Sequence, residues 1–439
     1  MKIKIQIQDI FFLAFIGSAT LGVISRNLPL GMGSTFYVWS PIVLILILSY
    51  RSSVFTKESV RIILLYGILS VGVLQYSLWR YMSDWNRIHI FLEFYYLFVT
   101  TAVLFYYLSR GSFSSFGWLS KWAFIFIIIS LILTNIALYL DPYIVRDSAS
   151  SGDFSSYQRA IFSYTGAMGY GYLQAIITLI PILIYYIKRK IRMVFSTKVL
   201  IVILLVIIIT EIRAQVFANI LVTFLILTLA LFGLKNWKAS FFSLIFVIGL
   251  FLITPISFFT SSLNSISLLF DSDSEIYYKL TDLSVFIENP DIDTSTGVGA
   301  RTERYPLLYR ALIANPFFGN TSYNSSLNIE LGGHLYWMNR LALWGIFGFL
   351  FFIYVLYKIF SNIIPLFNHD FQFYYFISIL SVIFLGLIKA VGGIHMWLML
   401  IVIIPGMYFY PLIDKKRIQQ NKEIAFDSKV VPDKDKGVY

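Results

Sequence analysis

Runs of roughly 20 mostly apolar residues recur along almost the whole chain, separated by short polar connections. A helix needs about 20 such residues to cross the hydrocarbon core of a bilayer. Twelve candidates can be read, at about 10–26, 34–50, 60–79, 89–108, 120–140, 166–187, 197–212, 214–233, 239–257, 340–360, 373–391 and 394–412. The tightest hairpins, at 212–214 and 391–394, leave eleven spans as an alternative. Only 13% of the 439 residues are charged and 58% are hydrophobic, whereas about 25% of a soluble domain is charged. The expected fold class is therefore an all-α polytopic membrane protein of about 12 transmembrane helices. Met1 to Gln8 and the apolar run after them have the layout of a signal peptide, but the many later spans make this an uncleaved first helix.

The formal charge of +11 points to membrane orientation rather than to nucleic acid. With twelve spans and the N-terminus inside, 22 of the 34 Lys and Arg fall on the inner side. Of the 12 outside, five belong to one long connection (Lys279, Arg301, Arg304, Arg310 and Arg340). Long loops are exempt from the positive-inside rule, so the comparison is 22 against 7, and both termini are expected in the cytoplasm.

That connection, about 258–339, is far longer than any other, and long loops are usually functional or disordered. The chain divides into an N-terminal membrane domain, 1–257, with about nine spans; the large extracytoplasmic loop, 258–339, whose second half, 297–339, carries the chemistry; C-terminal spans over 340–412; and a charged tail, 413–439. Ser261 to Thr296 is acidic and rich in Ser, Asn and Asp, which reads as peripheral and partly mobile. No inverted repeat of the kind found in many secondary transporters is present.

In the second half, Pro306 suits the first turn of a helix and Pro316 a position just past its end, so a helix is expected over about 305–315. Arg301 and Arg304 would lie at its N-terminal mouth, where free N–H groups and two guanidinium groups form a clamp for phosphate or diphosphate. The alternative is that they pair with Glu303 or other loop acids. His334 follows Gly332 and Gly333 at a helix entry, where it could serve as a neutral base; the alternative is an interfacial His beside Tyr336 and Trp337. Glu211 and Arg213 sit between two apolar runs, as site residues or as a mutually neutralising pair. Glu93 and Lys389, also embedded in apolar runs, read as packing partners or snorkelling groups. Arg146 and Arg159 lie in the polar connection at about 141–165. There is no cysteine, so no disulfide, Cys-ligated zinc or thiol nucleophile. There is also no metal-binding or Walker motif, and no cofactor is expected.

The order of these residues resembles a family. Arg213 follows a span; Gly299-Ala-Arg301, Arg304 to Tyr309 and Asn315-Pro316 with Gly319 come next; then Gly332-Gly333-His334 and Trp344-Gly345-Ile-Phe-Gly348. This arrangement, over about 210–350, is similar to the Wzy-type polysaccharide repeat-unit (O-antigen or capsule) polymerases within the O-antigen ligase/polymerase superfamily. A looser likeness covers Arg146 and Gly169-Tyr-Gly-Tyr172. Leu335 stands where ligases usually carry Asn, Ser or Gln, which favours polymerase over ligase. The resemblance implies a GT-C-like, metal-independent glycosyltransferase of the cytoplasmic (inner) membrane, joining undecaprenyl-diphosphate-linked oligosaccharide repeat units into O-antigen, capsule or lipopolysaccharide glycan. It implies His334 as the catalytic residue and Arg213, Arg301 and Arg304 as diphosphate ligands, with Tyr309, Arg146 and Arg159 as further candidate substrate contacts. The implied partners are the lipid-linked glycan, the bilayer, and the chain-length regulator and flippase of the same pathway. The alternatives are an O-antigen ligase acting on lipid A core, or a lipid or oligosaccharide transporter.

Overall fold

The computed structural model describes residues 6–22, 61–62, 65, 67–68, 85–148, 155–232, 256–272, 275–288, 304–319 and 335–411. Among them every regular element is helical. Five helices are long and apolar enough to cross a membrane: Phe113–Leu140, Tyr170–Lys188, Tyr336–Leu366, His369–Ile388 and Ile394–Pro411. The expected spans at 34–50 and most of those at 60–79 and 239–257 lie outside the described residues, as does the tail.

In chain order, α1 is Ile7–Thr20, α2 Trp85–Ser109 and α3 Phe113–Leu140. A single turn, Ile144–Asp147, precedes α4, Ser156–Thr165, which opens on a capping box: Gln158 N–H donates to Ser155 Oγ at 3.1 Å and Ser155 N–H to Gln158 Oε1 at 3.0 Å. Then come α5, Tyr170–Lys188, α6, Thr197–Arg213, and α7, Phe217–Phe232. The long connection holds α8, Ile256–Ser267, α9, Glu275–Glu288, and α10, Arg304–Ala314. The last three helices are α11, Tyr336–Ile363, α12, His369–Ile388, and α13, Ile394–Pro411.

Several boundaries differ from expectation. α3 begins at Phe113 rather than about 120, because Ser114, Ser115 and Lys121 are compatible with helix even though they lower the local hydropathy. α11 begins at Tyr336 rather than about 340, so Tyr336 to Asn339 belong to a helix and not to the loop. Ser261 to Thr296, which the composition marks as peripheral, contains most of α8 and all of α9. These two pack on each other, and Ser284 Oγ donates to Thr260 O at 3.4 Å.

One packed core runs through the spans. Buried tyrosines join neighbouring helices through their hydroxyls, which need partners once removed from water. Tyr172 donates to Ile127 O at 2.6 Å, Tyr186 to Met407 O at 3.0 Å and Tyr107 to Asp9 Oδ1 at 2.8 Å.

α11 is not continuous. Gly345 has φ +66° and ψ −177° inside it, which ends one hydrogen-bonded run and starts another. Ile346 N–H donates to Pro316 O at 2.8 Å, and Phe347 N–H to Phe317 O at 3.2 Å. The segment after α10 is therefore seated in the break. Gly319, itself at φ +72°, lies against the backbone of Leu343 to Gly345, and a Cβ on either glycine would meet backbone atoms of the other segment. The motif glycines Gly319 and Gly345 are thus explained by the docking of loop on helix.

Gly345→Ala should lower stability by about 1–3 kcal/mol, the usual range for a residue held in a disfavoured backbone region. Gly393→Ala, with an ordinary φ of −73° and open space at its Cβ, should leave stability unchanged. Thermal unfolding of the two purified variants, followed by tryptophan fluorescence, tests this; equal midpoints would refute the docking account.

Candidate functional site

A relay of contacts gathers several helix ends at one end of the bundle. Arg213, in the last turn of α6, holds its guanidinium 5.5 Å from the ring of Tyr139 near the end of α3. Thr134, one turn earlier on α3, accepts Met168 N–H at 3.0 Å, just before α5. Lys389, beyond the end of α12, holds its ammonium 5.7 Å from the ring of Tyr170 on α5. Its carbonyl accepts Tyr336 N–H at 3.3 Å, so the head of α11 belongs to the same end. His395, in the first turn of α13, packs edge-on to Tyr172 with centroids 6.1 Å apart.

Within this end lies a buried polar knot. Arg340 pairs with Glu93 of α2, and Tyr336 donates its hydroxyl to the same carboxylate. Both charged side chains are only 5% exposed. The guanidinium is held between two rings of its own helix, with Tyr336 at 4.6 Å and Trp344 at 5.6 Å from their centroids. Residues four apart on a helix share a face, which is why 336, 340 and 344 can enclose one cation. A buried pair of this type requires hydrogen bonds to offset desolvation. Tyr336 supplies one of them and Asn339 Oδ1, at 3.1 Å from Arg340 Nη1, another.

Glu93, read from sequence as a packing partner or snorkelling group, is thus an ion-pair partner. Arg340 escaped notice because it was counted among loop charges. The usable signal was that Glu93 stands as a single acid in an apolar run while Arg340 stands at the head of another.

The other sequence candidates fare differently. Glu211 and Arg213 do not neutralise each other among the described residues. Glu211 is fully buried and accepts Asn219 Nδ2 at 2.9 Å, while its other carboxylate oxygen has no donor among the described residues. Arg213 is exposed beside Tyr139. α10 runs from Arg304 to Ala314, almost as expected, with Tyr309 on its exposed side. Arg159 is exposed on α4, and Arg146 lies in the turn Ile144–Asp147. Arg301 and His334 lie outside the described residues, and for Arg304 and Arg146 the backbone alone is described. Leu335, next to His334, is buried at φ +65°. A branched residue held in this left-handed conformation has a cost.

No family model matches the chain, and no curated protein matches it.

Removing one member of the buried pair should be worse than removing both. Glu93→Leu should cost about 3–5 kcal/mol by leaving Arg340 buried and unpaired. Adding Arg340→Met to that variant should restore most of the loss. Thermal unfolding of the wild type, both single variants and the double variant would check this; strictly additive losses would rule the coupling out.

Proposed function

We propose that the protein is a repeat-unit polymerase. On this reading it has about twelve spans and lies in the cytoplasmic membrane with both termini inside. It joins undecaprenyl-diphosphate-linked oligosaccharides on the outer face, where its long loop lies. The observation that supports this most is the convergence at one end of the bundle. Arg213 from α6 and the head of α11, which directly follows His334 and Leu335, open on the same end. Arg304 begins α10, which packs against that same head of α11. The opposite end carries Arg110, Lys121, Lys188, Arg189 and Lys358. Arg189 pairs there with Asp370, and Lys188 caps the end of α7 through Ala230 O at 3.2 Å. That basic end is what a cytoplasmic face should look like.

The chemistry follows from the residue types. A hydroxyl oxygen of the acceptor sugar attacks the anomeric carbon of the donor glycan. The bond from that carbon to the diphosphate oxygen breaks, and the lipid diphosphate leaves with the electron pair. His334 takes the hydroxyl proton; a base with a pKa near the working pH is best suited to this. Arg213, Arg301 and Arg304 offset the charge of the departing diphosphate, the kind of electrostatic stabilisation that usually contributes most. Tyr309, Arg146 and Arg159 are further substrate contacts on this reading. The phosphoester bond of the donor supplies the driving force.

Cells carrying His334→Ala should accumulate single repeat units on the lipid carrier, with polymerisation reduced at least 100-fold, the low end of what a general base contributes. Arg213→Gln should give the same product pattern. Gel analysis of the lipid-linked glycans reads the outcome. Normal long chains would overturn the proposal, and full-length polymer left on the carrier would identify a ligase instead.

A further inference from the structure

We propose that α10 is an interfacial helix: one flank, with the Phe317-Phe318 turn that follows it, lies in the acyl chains of the bilayer leaflet on the loop side, rather than standing in water above the bundle.

The inner face of α10 is accounted for. Leu308 and Ala311 are buried against Leu335 and Ala342, with Leu312 and Met338 beside them. The outer face is not polar, as a loop helix in water would require. Tyr305, Tyr309 and Ile313, four residues apart, form one exposed stripe, since such positions lie on the same side of a helix. Ile313 is 57% exposed and Phe318 78%. Arg310 is also exposed, but it lies about 100° round the axis from Tyr309. The outer face thus has an apolar, aromatic flank and a cationic flank, the division expected of a helix lying in a membrane interface.

Two contacts decide what covers the apolar flank. At its start, Tyr305 donates its hydroxyl to Leu387 O at 3.1 Å, and Leu387 is an outward residue of the spanning helix α12. At its end, Phe317 stacks on Phe347 with centroids 5.5 Å apart, and Phe318 lies 5.7 Å from the same ring. Phe347 heads an outward apolar row on α11 that continues through Leu350, Tyr354 and Tyr357. The stripe on α10 is therefore continuous with the faces of two spanning helices. An apolar surface this continuous, left in water, would mark an interaction site, and here it borders the surface that lipid covers.

The levels agree. The second part of α11, from Ile346, together with the 3-10 turn Ile364–Leu366 that continues it, has about the length of α12, His369–Ile388, and about 20 helical residues span 30 Å. Phe347 thus stands near the edge of the hydrocarbon layer. Arg310 on the other flank faces the headgroup phosphates, and Tyr305 and Tyr309 take the position favoured by interfacial aromatics.

The chain has no cysteine, so single cysteines can be introduced without background. Ile313→Cys, Phe318→Cys, Arg310→Cys, Leu350→Cys and Ser156→Cys would each be spin-labelled in the full-length protein in nanodiscs of phosphatidylcholine and phosphatidylglycerol. Ser156 is exposed at the start of α4, and Leu350 is an outward residue of a spanning helix. Collision with oxygen, which concentrates in lipid, is compared with collision with a water-soluble nickel chelate. The labels at 313 and 318 should favour oxygen by the factor seen at 350, and the label at 310 should shift towards the chelate. If 313 and 318 meet the chelate as freely as 156 does, the proposal is wrong. A bimane label at 318 gives a second reading: strong quenching by brominated acyl chains supports it, and quenching by aqueous iodide alone overturns it. Neither readout requires the polymerase reading to hold.

Discussion

A backbone inside hydrocarbon has no water to bond to, so every break in a spanning helix must be satisfied by protein. This chain breaks its spanning helices repeatedly and meets that demand each time in a different way. At Thr178 the helix α5 divides, and Ser378 Oγ from α12 donates to Thr178 O at 2.7 Å. In the π-helical stretch Leu398–Ile403 of α13, Tyr375 donates to Leu400 O at 2.7 Å. At Gly345 the donors are backbone amides, and the acceptors arrive from the loop, Pro316 O and Phe317 O. The loop segment is therefore part of what makes a broken α11 tolerable, and the membrane helix in turn fixes where the loop must be.

Charge is handled by the same logic. Glu93 and Arg340 are both almost fully enclosed and form an ion pair with each other. Tyr336 contributes twice, with a hydroxyl to Glu93 and a ring beneath Arg340. Because Tyr336 also bonds Lys389 O through its amide, α2, α11 and α12 are joined within one turn of helix. This knot sits two residues from His334. On the proposed reading, the proton acceptor directly precedes in sequence a point where three helices are tied together. Arg213, by contrast, is exposed beside the ring of Tyr139, in keeping with the substrate-binding role proposed for it.

Much of the fold was legible because hydropathy is a strong and local signal. Helices emerge close to where the apolar runs at 197–212, 373–391 and 394–412 place them, the last two long enough to cross a membrane, and the helix at 304–314 follows from Pro306 and Pro316. The misreadings share a cause. Tyr336 to Asn339 looked like loop, and Arg340 was counted among its charges, because Asn339 and Arg340 are polar; both are buried, and Arg340 pairs with Glu93, 247 positions away. Nothing in one local window reports such a partner. The glycines at 319 and 345 were legible as motif but not as cause, since their roles depend on each other across 26 positions. Ser261 to Thr296, read as peripheral from its composition, holds most of α8 and all of α9, two helices that pack on each other.

The long connection looks free to wander when it is read as a string of residues. It is in fact pinned at Tyr305 to α12, at Pro316 and Phe317 to α11, and again at Leu335, buried against Leu308 and Ala342. Each tie shortens the stretch of chain that must still be ordered, and loop entropy grows slowly with length, so three ties over 31 residues confine α10 closely. The direction of the confinement matters as much as its extent. All three ties lie on the head of α11 or beside it, so α10 is held at the membrane boundary and not above it. On the proposed reading, the substrate is carried on a lipid and presents its diphosphate at that same level. On the same reading, a helix that begins at residue 304 and turns an aromatic flank towards the acyl chains starts where such a headgroup passes. The placement follows from the Gly345 break, since without acceptors from the loop the break could not exist, and without the break the loop would have no seat.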